Sequence, residues 1–161
     1  MKNKIICILL LFISYKSPSQ INHVDVLVGK TELQVVNYFD SLQNLKGNSN
    51  KIIRNVSPYG GLVLSTDFSL ADEAFYKCTK IIASFQKGDG IEVCIRQGIA
   101  GSTKFAESNL AFIKDNFKLV GEGRWEKHYN NLPNIKIKVS FQKLETDKGA
   151  TCLIIYQLTD Q

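Results

Sequence analysis

Residues 135–142 constrain the fold more than any other stretch of this chain. Ile135, Ile137, Val139 and Phe141 alternate with Lys136, Lys138, Ser140 and Gln142. A period of two puts the apolar set on one face of a strand and the polar set on the other. A sheet built around such a strand has one buried face and one wet face, so its helices must lie on a single side.

Two helical patterns are available to cover the buried face. Leu33, Val36, Phe39, Leu42 and Leu45 recur at helical spacing over 31–45. Thr31 can cap that helix with Gln34 three residues on, and Gly47-Asn48-Ser49-Asn50 ends it. Phe105, Leu110, Phe112 and Ile113 give a second amphipathic helix over 103–116. Strands fill the rest. Runs at 51–56 and 62–66 flank the turn Ser57-Pro58-Tyr59-Gly60-Gly61, and a hairpin of 77–86 and 91–98 closes around Gly88-Asp89-Gly90. A short helical turn is expected near 69–75. Gly121 and Gly123 read as a bulge or bend interrupting one strand over 119–129, and 151–158 is the last strand. The expected fold is therefore α+β, a single domain with a largely antiparallel sheet of about six or seven strands and two helices on one face, in the order α-β4-α-β3. Gly29-Lys30-Thr31-Glu32-Leu33 and Gly101-Ser102-Thr103-Lys104-Phe105 open the two halves alike, and common helix-start chemistry explains that match better than a repeat does.

The first nineteen residues carry an address. Lys2 and Lys4 precede nine apolar residues, 5–13, and a small polar stretch with Ser17 and Ser19 follows. This is the layout of a secretory signal, and nine residues fall well short of the roughly 20 that span a bilayer as a helix. Residues 1–19 are expected as a signal peptide, 20–30 as an N-terminal tail and 31–161 as the domain, exported to a periplasmic or extracellular space without a permanent membrane span. Losing Lys2, Lys4 and Lys16 lowers the net charge from +5 to +2, and only Arg54, Arg96 and Arg124 are Arg. Nucleic-acid binding, which favours forked Arg contacts, is not expected.

Candidate chemistry is sparse. Beyond the signal stand Cys78, Cys94 and Cys152, an odd number. If Gln86 faces Ile91, Cys94 faces Ala83, and Cys78 lies five positions away, roughly 16 Å and far beyond disulfide reach. Buried free thiols are expected, with no disulfide favoured. His23 and His128 are too scattered, with the cysteines, to supply metal-ligand spacing, and no cofactor motif occurs. The catalytic residues are unknown. Cys94 with His128 is the only testable nucleophile pair. Tyr59, Trp125 and Tyr129 are candidate interface aromatics. The leading expectation is a small exported non-enzymatic domain that binds another protein or an envelope component. The alternative is a small extracytoplasmic hydrolase or thiol-dependent enzyme.

Overall fold

A computed structural model of the chain describes residues 23–44, 51–58, 60–67, 78–88, 91–130, 132–146 and 149–160. Helix α1 (Glu32–Asn44) precedes strands β1 (Ile53–Val56), β2 (Leu62–Asp67), β3 (Cys78–Gly88) and β4 (Ile91–Ser102). Helix α2 (Thr103–Asn116) precedes β5 (Lys118–Gly121), β6 (Arg124–Tyr129), β7 (Leu132–Thr146) and β8 (Gly149–Asp160). All eight strands form one antiparallel sheet in the order β1-β2-β3-β4-β8-β7-β6-β5. The α+β class and the antiparallel sheet are those the sequence predicts. The strand count is eight rather than six or seven, and the order is α-β4-α-β4. The helical turn expected near 69–75 and Tyr59 lie outside the described residues.

The extra strand comes from the two glycines at 121 and 123. Gly123 takes φ +61°, and the chain reverses there into a β5–β6 hairpin, whose register shifts between Leu119 and Gly121. Gly98 and Gly101, by contrast, do not stop β4. Partners on both sides, β3 and β8, hold its ladder through both positions. The β3–β4 register is Gly88↔Ile91 and not Gln86↔Ile91, so Cys94 faces Phe85 rather than Ala83. The two intervening residues, Asp89-Gly90, lie outside the described ones, and their sequence suits a tight hairpin. From Gly88 to Phe85 the shift is two residues, which keeps side chains on their faces, and an irregularity between Phe85 and Ser84 then places Ser84 opposite Arg96.

Both helices begin with side-chain caps. Thr31 and Gln34 exchange bonds, with Thr31 N donating to Gln34 Oε1 at 2.9 Å and Gln34 N to Thr31 Oγ1 at 3.4 Å. Ser102 accepts from Phe105 N at 3.3 Å. The caps are thus Thr31 and Ser102, one position out of step with the Gly-x-Thr match, so the two halves repeat as architecture but not through those openings. In α1 the buried stripe is Val35, Phe39 and Leu42, while Leu33 is 68% exposed. In α2 it is Phe105, Asn109 and Ile113.

The core lies between this helix layer and the sheet face carrying Leu64, Ile81, Ala83, Phe85, Ile99, Ile154, Tyr156 and Val139. Residues 23–30, expected as a tail, are part of it. Val24, Leu27 and Val28 are buried, and two polar side chains secure their backbone. Asn109 Oδ1 accepts from Val24 N at 3.1 Å. Gln97 Oε1 accepts from Leu27 N at 2.8 Å, and Gln97 Nε2 donates to Asp25 O at 2.9 Å. The strap then pairs with the free side of β4: Gly29 N donates to Cys94 O at 2.7 Å and Cys94 N to Lys30 O at 2.9 Å. Buried Gln97 and Asn109, which would be costly unpaired, are satisfied by backbone far away in sequence.

Candidate functional site

Cross-strand partners share a face, so the register gives the composition of the sheet's second face directly. One row runs Ser65, Ile82, Gly98, Ile155, Ser140, Arg124 across six strands. The next runs Ser84, Arg96, Gln157, Lys138, Glu126, Lys118. Among the described residues no helix covers these rows. At the centre Gly98 has open space where a Cβ would stand, with half-buried Ile82 and Ile155 beside it. The face therefore has a low floor of small and apolar residues bordered by long polar side chains.

Charge on this face is uneven. Lys80 pairs with Asp67 at 3.1 Å, and Lys136 with Glu126 at 3.1 Å. Arg96, Lys138, Arg124 and Lys118 make no ion pair with a described carboxylate. Two clefts open towards β5. One of about 440 Å³ is lined by Val120, Arg124, Glu126, Lys138, Ser140, Ile155 and Gln157 among others. The other, of about 390 Å³, shares Val120 and Glu126 and adds Asn116, Lys118, Lys127, His128 and Lys136.

The remaining candidates fall elsewhere. Cys94 is fully buried on the helix-facing side of β4, whereas His128 is exposed on β6 and paired with Lys136 on the other face. Two strands, β8 and β7, separate them, roughly 14 Å at the usual strand spacing. Burial pushes the Cys94 thiol up from 9.0 to about 12, against hydrogen bonds to Arg96 and Ser84 backbone. A thiol held protonated and away from any imidazole is a poor nucleophile. Cys78 and Cys152 flank Gly101 in one row, Cys78↔Gly101↔Cys152. Two strand spacings, roughly 10 Å, keep them beyond disulfide reach, and all three described cysteines are free and buried. No cluster of His, Cys, Asp or Glu suited to a metal ion occurs among the described residues.

Of the aromatics named from sequence, the two that are described look inward. Trp125 is 7% exposed and packs beneath the helix layer opposite Val139. Tyr129 is half-buried, and its hydroxyl donates to Gly29 O at 3.2 Å. The residues that build the open face were passed over because Gly98, Ser140, Ile155 and Gln157 carry no motif. The sequence signal for them was the alternation at 135–142, read on its polar side. In register, Lys138 of that polar set joins Arg96 and Lys118.

No protein-family model, curated protein or solved structure matches the chain. No helix among the described residues is long and apolar enough to cross a membrane.

Proposed function

We propose that the chain is an exported domain that binds another protein of the extracytoplasmic space or the cell envelope, using the open face of its sheet. One observation carries this reading: a broad sheet face with a small and apolar centre, Gly98 between Ile82 and Ile155, that no described helix covers. Apolar floors ringed by polar side chains suit protein interfaces. Export rests on the signal-like residues 1–19. The enzyme alternative receives no support from the Cys94–His128 pair, which is divided between the two faces.

Gly98→Tyr tests the reading, because the new ring stands in open space and leaves the core untouched. The chain and the variant are used as baits in the extracytoplasmic fraction of the producing cell. A partner recovered by the chain and lost by the variant, with unchanged circular dichroism, supports the proposal. Equal recovery by both overturns it.

A further inference from the structure

The two margins of the sheet differ in chemistry. Strand β5 ends the strand order and is hydrogen-bonded only to β6, so its outer backbone groups have no described partner. Leu119 and Val120 are 62% and 50% exposed, at the point where the β5–β6 register shifts. Exposed edges of this kind are ready templates for pairing with another chain, and here Lys118 is the only charge on the strand.

We propose that β5 accepts an acidic, extended segment of a partner protein as a ninth strand of the sheet. The proposal rests on the reading of this chain as a protein-binding domain and names the partner's chemistry. An added strand sends alternate side chains to the two faces. On the open face they meet Lys118 of β5 and Arg124, whose guanidinium stands beside Gly121, while Glu126 is occupied by Lys136. On the helix side lies a cleft of about 380 Å³ between the strap, the end of α2 and β6. Lys30 and Lys127 line it, Lys127 Nζ stands 5.8 Å from the centroid of the Phe117 ring, and no carboxylate belongs to the lining. Cations thus flank the start of β5 on both faces, Lys118 on the open face and Lys127 over Phe117 on the helix side, with Arg124 beside Gly121 at the other end and exposed Glu122 confined to the turn that follows; a strand with acids at successive positions is complemented on each face. The opposite margin lacks this property. Arg54 of β1 is bonded to Glu32, and the neighbouring cleft mixes Lys87 with Glu32 and Glu92. A free backbone edge selects a polypeptide over a glycan or lipid anion, because only a strand satisfies the outward N–H and C=O groups.

The test uses the full chain and two blocked peptides of alternating sequence, (Val-Glu)4 and (Val-Lys)4, with dextran sulfate as a polyanion lacking a backbone edge. We expect (Val-Glu)4 to bind at least about tenfold more tightly than (Val-Lys)4, a difference of about 1.4 kcal/mol. Its binding should weaken with salt and slow amide exchange over residues 118–121. K118E combined with R124E should reduce affinity about tenfold, whereas V56D on β1 should not. Equal affinity for the two peptides, slowed exchange at β1 instead of β5, or equal slowing of 118–121 by dextran sulfate overturns the proposal. Failure of (Val-Glu)4 while partner capture remains sensitive to Gly98→Tyr sinks the edge proposal alone; capture insensitive to Gly98→Tyr sinks the binding-face reading.

Discussion

Gly29 is held at φ +85° directly beneath the Tyr129 ring, so a Cβ there would strike the ring while the backbone already occupies the left-handed region. Gly60 has almost the same backbone, φ +84°, with open space around it. The pair separates two costs. Gly60→Ala should lose about 1 kcal/mol from backbone strain alone, and Gly29→Ala about 2–4 kcal/mol once the ring must move. Urea unfolding of both variants checks this, and equal losses would mean the ring yields freely. The thiols give a second residue-scale expectation. Burial raises both Cys78 and Cys94 from 9.0 to about 12. The unfolded chain therefore releases these protons first. The stability tied to the protonated thiols is complete below pH 9 and falls between pH 9 and 12, by about 1.4 kcal/mol per pH unit for each thiol. Alkaline urea titrations should show this slope, and replacing both cysteines with Ala should reduce it without removing it, because burial also raises the Tyr38 and Tyr156 hydroxyls. That these cysteines are buried and free was legible from their apolar surroundings in sequence. That Cys78 and Cys152 share a row around Gly101 was not, because β4 and β8 meet only through the tertiary order of strands.

At the scale of elements, what the sequence made legible depends on where each element's partners lie. Helix α2 has the expected bounds because its cap and apolar stripe are local: Ser102, Phe105 and Ile113 fall within one short stretch. The strap over 23–30 was unreadable for the opposite reason. Its backbone is satisfied by Gln97 and Asn109, whose positions are 70 and 85 residues distant from Leu27 and Val24. A buried Gln and a buried Asn look like interior errors until the segment they serve is known. Gln97→Leu should therefore cost about 2–4 kcal/mol despite adding an apolar side chain, because it strands Leu27 N–H and Asp25 C=O in the core. Thermal unfolding of this variant checks the value; a neutral outcome would mean the strap finds water or another partner. Gly121 and Gly123 permit a bulge, a bend or a full reversal, and the structure has a register shift before Gly121 and a reversal at Gly123, where φ is positive.

Across the whole molecule, the alternation at 135–142 carried the most information. It implied a one-sided sheet, and the second face it implied is the open face that carries the proposed function. The candidate site was less legible, since its rows draw single residues from six strands and exist only once the register is set. The palindromic strand order explains why. Each half is a helix followed by a four-stranded meander, and the halves join where β4 meets β8, from Arg96↔Gln157 to Ser102↔Thr151. Ending the chain before Gly149 should therefore abolish cooperative thermal unfolding, not trim an edge, because β4 and β7 would lose their shared neighbour. A retained sharp transition in that truncated chain would contradict the shared-core description. The same order sets a schedule for folding. Hairpins within each meander close over short loops, but the seam joins segments roughly fifty to sixty residues apart and waits for the last strand in chain order. Until β8 emerges there is no centre to the sheet, so a chain threaded lengthwise through a translocation pore would stay loose until nearly all of it had crossed.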